Sequence, residues 1–239
     1  YPLAKAINEA YNQSQKVVFE TDLEAMMNPA VLAKMMAMGL YPEGQTLFQN
    51  ISDEMGSSLK KKMVDLGMPM EHFGRFRPWF MAVTLTALEL KRLGFSPEYG
   101  IDLHFYGKAG SDEKETGFLE PVEFQLDLLG NMNAHDQKAF LGQTLEDLDV
   151  AAQMADDMLK NWKKGDADSL YAILFKSFED FPQIENRLLL RRNIDWVKKI
   201  EAMMAEDKNI FIIVGAGHLI GPGSVVALLK EKGYKVKQR

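Results

Sequence analysis

The sequence predicts an α/β domain in which a central mixed sheet of short strands carries a large helical insertion. Short apolar runs of strand length occur near both ends of the chain and at its middle, at 16–19, 117–119 and 209–213. Between them, apolar residues recur at helical spacing. The 239 residues suffice for one domain, 1–239, with the insertion over roughly 44–205, interrupted by short strands.

Composition excludes several classes of protein. Hydrophobic residues make up 46% and charged residues 26% of the chain, which is typical of a globular domain. The net charge of −6 (28 basic minus 34 acidic residues) argues against a nucleic-acid partner. No apolar run approaches the ~18 residues of a transmembrane segment. The absence of cysteine excludes disulfides and thiolate chemistry. The sequence does not indicate an oligomeric state.

In the first half of the chain, proline, serine and glycine mark the predicted ends of the helices. They predict an amphipathic helix over 2–13, a buried strand in 16–22, and a helix that begins at Pro29 and ends before Gly39. Ser52 is a suitable cap for a helix over 52–65. A strongly apolar helix follows over 78–92.

The second half alternates between glycine-rich segments and long helical patterns. Four glycines and a proline in GFSPEYGIDLHFYGKAG predict mostly loop over 94–110. A short strand from 117 then becomes a helix through Leu129, and a single helix covers 136–159. Asp166 or Asp168 caps the next helix. A long helix covers 182–206.

The C-terminal segment predicts a crossover unit. A strand, NIFIIVG, leads into the loop AGHLIGPG, a helix over 224–232 that ends at Gly233, and a last strand, YKVKQ. A parallel strand–helix–strand connection of this kind is right-handed.

His218 follows one of the predicted strands, in VGAGHLIGP. Ligands of open α/β sheets bind at the carboxyl ends of the strands. Gly215 and Gly217 permit close approach of the backbone, so we expect both to contact substrate. His218 is suited to bind a metal or to act as an acid or base. The alternative is a histidine that caps or packs against the following helix.

Carboxylates follow the other two strands. Glu20 ends the first strand, and a charge at a buried strand end must be paired, metal-bound or protonated. Asp22 lies on the same face, and Glu120 follows the middle strand; we expect both to bind substrate. The alternative for Glu20 and Asp22 is that they cap the next helix.

Other polar residues give weaker signals. Within the long helix, Arg191 or Arg192 could pair with Asp195 at helical spacing. Three histidines in polar or irregular segments are expected at the surface: His72, His104 and His135. No HxxxH, GxSxG, P-loop or GxGxxG motif is present.

Longer segments carry a family resemblance. VGAGHLIGPGSVVALLKEKGYKV closely resembles the C-terminal signature of the TraB/GumN family, which is related to the Tiki proteases and more distantly to ChaN-like and erythromycin-esterase-like (EreA) folds. Further segments agree in order along the chain: PLAKAINEAYNQSQKVVFETDL, GQTLFQNIS, RPWFMAVTL, YGIDLHFYGKAG, GFLEPVEFQ, NWKKGDADSL and RRNIDW. The resemblance therefore covers almost the whole chain.

The resemblance implies a set of site residues. The family pattern has two GxxH motifs, a glutamate after an early strand, and an arginine. By position, His218 ends the second GxxH, the glutamate is Glu20, and the arginine is Arg192, with Arg191 as the alternative. Tiki relatives cleave peptides with manganese or cobalt. The resemblance thus implies that His218 and Glu20 share a divalent metal, Mn²⁺ or Co²⁺ or else Zn²⁺, which would polarise a carbonyl and activate water.

The resemblance also sets expectations for the segment before Tyr1 and for the location of the protein. In the family, the first GxxH lies on a strand upstream of the PLAKAI helix, so we expect that strand and its histidine to precede Tyr1. Because many relatives are secreted or lipid-anchored, we expect a periplasmic or extracellular protein with a lipid anchor in its full-length form.

Three functions follow as hypotheses. The first is a metal-dependent, peptidase-like hydrolase acting on a peptide or other small polar substrate, with Arg192 stabilising negative charge. The second is a non-catalytic peptide- or polysaccharide-associated binding protein, since a family resemblance alone does not establish function. The third is a ChaN-type haem or iron protein, for which Tyr99, Phe105 and Tyr106 near His104 are the candidate platform.

Overall fold

A computed structural model describes residues 2–239 of the chain. Its sheet has three strands, β1 (Lys16–Phe19), β2 (Glu115–Phe118) and β3 (Ile210–Ile213), in the order β2-β1-β3. Both pairings are parallel, with Phe19 of the central strand opposite Phe118 and Ile213. The α/β class is confirmed, but the prediction of a mixed sheet is wrong.

The described residues also form thirteen α-helices. They are α1 (Lys5–Gln13), α2 (Leu23–Met26), α3 (Pro29–Gly39), α4 (Asp53–Asp65), α5 (Pro78–Arg92), α6 (Ile101–Ser111), α7 (Val122–Gly130), α8 (Ala134–Asp149), α9 (Ala151–Lys164), α10 (Ala167–Phe175), α11 (Pro182–Glu185), α12 (Arg191–Met204) and α13 (Val225–Glu231). Short 3₁₀ turns lie at Met70–Phe73, Pro97–Tyr99, Lys176–Phe178 and Ala216–His218. No helix in this part of the chain is long and apolar enough to cross a membrane.

The central strand is buried on both faces. Val18 packs in a cluster with Trp196 of α12 and Leu229 of α13. Val17 and Phe19 point the other way, because side chains alternate along a strand, and pack with core residues of α1 and α6. Helices on both faces are the usual setting of a parallel sheet. A separate core joins α4, α5 and α8, within the segment expected as the helical insertion.

Helix α6 corrects the prediction of a loop over 94–110. Phe105 and Ala109 on its inner side are fully buried against the sheet. Gly107 and Gly110 lie inside the helix, with open space where a Cβ would stand. A glycine in a helix costs only ~1 kcal/mol relative to alanine. The burial of Phe105 outweighs that cost.

Two further element predictions are wrong in part. The helix expected over 136–159 is divided at Val150 into α8 and α9, which pack against different helices, α8 against α5 and α9 against α10. The last strand expected in YKVKQ does not form; 234–239 carries no strand. That segment is lysine-rich and exposed. Its side-chain contacts include the Tyr234 hydroxyl donating to Glu201 and Gln238 donating to the Gly165 carbonyl. The predicted C-terminal crossover is therefore absent here.

The long helix expected over 182–206 is interrupted. Helix α11 is followed directly by a π-helical turn at Asn186–Leu190, and α12 then covers Arg191–Met204. The residues at both junctions have right-handed helical backbone angles. Such π turns inside helices are frequent at functional sites. This one ends two residues before Arg192 and three before Asn193, which are both buried.

Candidate active site

The three strands end at one edge of the sheet and deliver polar groups there. Leu119 N–H donates to the Phe19 carbonyl at 2.9 Å, and Glu120 N–H donates to the Glu20 carbonyl at 2.9 Å, so backbone pairing continues past the strands. Glu20 and Glu120 therefore lie side by side. From β3, Gly215 N–H donates to Glu20 Oε1 at 2.7 Å. The sheet register thus brings together residues nearly 200 positions apart.

Arg192 joins the two carboxylates. Its Nη2 lies 2.7 Å from Glu20 Oε2 and 2.6 Å from Glu120 Oε1, and its Nε donates to both Glu120 oxygens at 3.1 and 3.2 Å. Its Nη1 donates to the Leu188 carbonyl in the π turn at 2.8 Å. A fork of fixed N–H donors suits paired carboxylates better than an ammonium group.

The geometry distinguishes the two candidate arginines. Arg192 is 8% exposed and lies within the cluster, whereas Arg191 is exposed and lines a surface cavity with Arg187. Asp195 does not pair as predicted with either candidate; its carboxylate accepts from Lys198 at 2.8 Å.

Glu120 is a buried carboxylate whose charge is compensated. It is 5% exposed, and besides Arg192 it accepts from Trp196 Nε1 at 3.0 Å and from Gln125 Nε2 at 2.9 Å. A buried charge persists only when it is paired and hydrogen-bonded in this way. Glu120 thus orients Arg192, and its substrate contact stays a prediction.

Glu20 is the carboxylate of the pair that solvent can reach. Its side chain is 23% exposed, against 4% for Glu120. Both of its oxygens accept a hydrogen bond, one from Gly215 and one from Arg192. Glu20 is therefore held in one orientation with an open side.

His218 closes the cluster from the loop after β3. It ends a 3₁₀ turn, is 4% exposed, and has its ring centroid 4.3 Å from that of Trp196. Its Nε2 lies 3.0 Å from Arg192 Nη1, and its Nδ1 lies 2.6 Å from Asn193 Oδ1. Burial, and secondarily the Arg192 charge, lower the pKa of His218 to about 3, so the imidazole is neutral at ordinary pH.

The substrate contact expected of the two loop glycines, Gly215 and Gly217, stays a prediction. Gly215 has a φ of −56°, which any residue adopts, and its contact with the site is its N–H. Gly217 packs near Leu189. The left-handed backbone occurs later, at Gly221 (φ +75°) and Gly223 (φ +69°). At Gly221 a Cβ would lie 2.2 Å from the Tyr171 ring.

Asp22 occupies the position of a helix cap. Its Oδ1 accepts from the N–H groups of Glu24 and Ala25 at the start of α2, at 2.9 and 3.1 Å, and from the Tyr106 hydroxyl at 3.2 Å. This is the alternative that the sequence left open. Its contact with substrate stays a prediction.

The remaining histidines lie away from the cluster. His72, His104 and His135 are exposed, as expected. The platform required by the haem hypothesis is not formed as proposed, because Phe105 is fully buried beneath the sheet face.

The predicted metal ligands are engaged by a cation of the protein itself. Glu20 Oε2 and His218 Nε2 both face the Arg192 guanidinium. Across the described residues, no three His, Cys, Asp or Glu side chains gather in a way that could hold a metal ion. In this arrangement Glu20 and His218 do not fit a divalent metal.

Sequence reasoning missed three members of the cluster: Gln125, Asn193 and Trp196. Positions along the chain could have indicated two of them, Trp196 and Gln125. Arg192 and Trp196 are four apart on one helix, and the guanidinium lies 4.6 Å from the indole ring. Gln125 lies on the first turns of α7, the helix that begins just after Glu120.

These features define an α/β protein with an acid–arginine–histidine cluster at the carboxyl edge of a parallel sheet. The model of the TraB/PrgY/gumN family matches residues 1–238, and the chain belongs to that family.

Relatives named as proteases are distant. Metalloprotease TIKI1 of Homo sapiens is 26% identical over 284 residues, covering 96% of this chain and 55% of that protein. Metalloprotease TIKI2 of Xenopus tropicalis is 24% identical, with 96% and 53% covered. The uncharacterized protein YbaP of Escherichia coli is 24% identical, with 96% and 82% covered. The chain thus spans about half the length of the TIKI relatives. No solved structure matches it.

Proposed function

We propose that this protein is a peptidase-like hydrolase whose centre is the cluster of Glu20, Arg192 and His218. The observation that carries the proposal is Glu20, a carboxylate with an open side that is held against a buried guanidinium at the carboxyl edge of the sheet. The similarity to proteins named metalloproteases supports the choice of a peptide bond.

The proposed chemistry uses groups of this chain. Glu20 takes a proton from water as the water oxygen bonds to the peptide carbonyl carbon. Negative charge passes from Glu20 to the carbonyl oxygen, and the charge of the Arg192 guanidinium, which contacts Glu20, stabilises it. As the carbon–nitrogen bond breaks, Glu20 returns the proton to the leaving amine. Water and peptide thus yield one carboxyl and one amine product.

A divalent metal is the cofactor to which the names of the TIKI relatives point. Glu20 and His218, the donors present in this chain, face Arg192 and leave no open position for a metal between them. The resemblance implies that the site is completed by the histidine of a first GxxH strand, upstream of Tyr1, in an erythromycin-esterase-like or ChaN-like fold. We propose Mn²⁺, Co²⁺ or Zn²⁺ at such a completed site, and a periplasmic or extracellular, lipid-anchored full-length form.

A binding protein is the second candidate, because the polar groups of the cluster already form hydrogen bonds with one another. All five N–H donors of Arg192 have acceptors among the neighbouring groups. Two surface cavities, of about 460 and 330 Å³, lie elsewhere, along the N-terminal part of α8 and the segment that follows α10. A protein that sequesters a peptide or accompanies a polysaccharide would need a groove and no reactive Glu20.

Cleavage of a peptide library, followed by mass spectrometry, tests the two candidates. We expect cleavage by the wild type, none by Glu20→Gln, and full activity in Glu43→Gln, a change at an exposed carboxylate. Arms with EDTA, Mn²⁺, Co²⁺ and Zn²⁺ test the metal, in this chain and in a form extended upstream. Melting-temperature shifts by metal that vanish in His218→Ala would support the completed site. Retention of peptides without cleavage would favour the binding protein.

A further inference from the structure

His218 has its ring nitrogens in two different environments. Nε2 lies 3.0 Å from Arg192 Nη1. A guanidinium has only donors and stays charged in proteins, so the arginine donates and Nε2 accepts. Nε2 therefore carries no proton in this arrangement.

The second nitrogen faces an amide whose orientation is fixed. Asn193 Nδ2 donates to the Gly223 carbonyl at 2.9 Å. Because a carbonyl cannot donate, the nitrogen of this amide must face Gly223, and Oδ1 must face the histidine. Oδ1 lies 2.6 Å from His218 Nδ1, which consequently carries the proton. Two independent contacts lead to the same tautomer.

The pair is enclosed. Asn193 is 1% exposed and His218 is 4% exposed, so water does not offer replacement partners. Asparagine is also a poor residue for the interior of a helix such as α12. Its presence there is explained by the two contacts that its amide makes.

We propose that Asn193 is a positioning residue, which holds His218 as the Nδ1–H tautomer with its Nε2 lone pair facing Arg192. The other tautomer would set an Nε2–H against an arginine N–H. That conflict would turn the guanidinium away from Glu20. The consequence for catalysis rests on the proposed function, whereas the tautomer does not.

The tautomer is measured directly by long-range ¹H–¹⁵N correlation spectra of protein labelled in histidine, with His218→Gln assigning the signals. We expect the wild type to show a protonated Nδ1 and an unprotonated Nε2. Asn193→Leu leaves the buried Nδ1–H without an acceptor, a cost that offsets the Arg192 contact at Nε2, and should therefore give a mixture of tautomers. Asn193→Asp keeps the acceptor and should retain the Nδ1–H form.

An Nε2–H tautomer in the wild type would overturn the proposal, even when a variant fails to fold. So would an unchanged tautomer in folded Asn193→Leu, because a residue that only ties α12 to the Gly223 loop would lower the melting temperature and leave the tautomer alone. With a cleaved peptide in hand, Asn193→Leu should lower kcat about 10-fold or more with KM little changed, and Asn193→Asp should restore part of it. Failure of all cleavage would sink the proposed function but leave the tautomer result standing.

Discussion

Arg192 Nη2 lies 2.7 Å from Glu20 Oε2, although 172 positions separate the two residues in the chain. The contact joins the π-interrupted helix to the end of the central strand.

Replacing Arg192 should lower the stability of the fold. Arg192→Met leaves the Glu120 carboxylate buried without its cation, which costs about 3–5 kcal/mol of unfolding free energy. Urea denaturation measures the loss. Arg191→Met, at the exposed neighbour, is the matched control and should change stability by less than about 0.5 kcal/mol. Equal losses in the two variants would contradict the buried ion pair.

Substitutions of the two glutamates should have different effects on stability and on cleavage. Glu120→Gln removes the charge that faces Arg192 in a buried setting and should destabilise the fold by about 3 kcal/mol. Glu20→Gln lies at a partly exposed position and should cost less than about 1 kcal/mol, while abolishing cleavage. Denaturation and peptide assays on the same samples decide. A stable, inactive Glu120→Gln with a fully active Glu20→Gln would reverse the assignment.

His218 should make stability depend on pH. Its pKa of about 3 in the folded state lies below the ~6.5 of an unfolded chain. Below pH 6.5 the unfolded state takes up a proton that the folded state refuses until about pH 3. Stability from this group is therefore full above pH 6.5 and falls as pH decreases, by at most about 1.4 kcal/mol per unit.

The measurement is the difference in unfolding free energy between pH 7 and pH 5. His218→Gln removes the imidazole but leaves the carboxylates of the protein unchanged. We expect the variant to lose less stability than the wild type over this interval. Parallel losses would show that His218 is not buried as a neutral base.

The loop after β3 should be sensitive at Gly221. Gly221→Ala combines a left-handed backbone with a Cβ 2.2 Å from the Tyr171 ring. We expect the melting temperature to drop by more than in Gly44→Ala, where φ is +83° and the space is open. Strain alone costs about 1 kcal/mol. Equal drops in melting temperature in the two variants would mean that the Tyr171 side chain moves aside at little cost.

The opposite edge of the sheet provides a change that spares the site. The Tyr11 hydroxyl donates to Asp112 at 2.8 Å beneath the sheet, and burial, together with Asp112, raises the pKa of Tyr11. Tyr11→Phe should lower stability by about 1 kcal/mol and leave kcat unchanged. A large loss of activity at unchanged stability would show that the edges are coupled.

The sequence predicted those parts of the fold that local pattern determines. The helices at Pro29 and Pro78 and the Ser52 cap follow from residue type alone. Helix α6 did not, because its glycines indicated a loop and only burial of Phe105 against the sheet outweighs them. The break at Val150 and the π turn likewise depend on which faces neighbouring helices cover.

The candidate site was predictable where residues follow strands. Glu20, Glu120 and His218 each come after an apolar run, and parallel strands end at one edge. The choice between Arg191 and Arg192 depends on helical phase through the π turn, which no spacing rule contains. Asn193 was not predicted, since its partners, Gly223 and His218, lie far along the chain.

The central claim, that Glu20 and Arg192 act as one catalytic unit, is tested most directly by a double-mutant cycle. The kcat/KM for a cleaved peptide is measured for the wild type, Glu20→Asp, Arg192→Lys and the double variant, because the shortened carboxylate of Glu20→Asp should retain measurable activity whereas Glu20→Gln should have none. We predict that the double variant loses no more than the worse single variant, because residues acting as a unit are not additive. Losses that multiply, or an active Glu20→Gln, would contradict the claim.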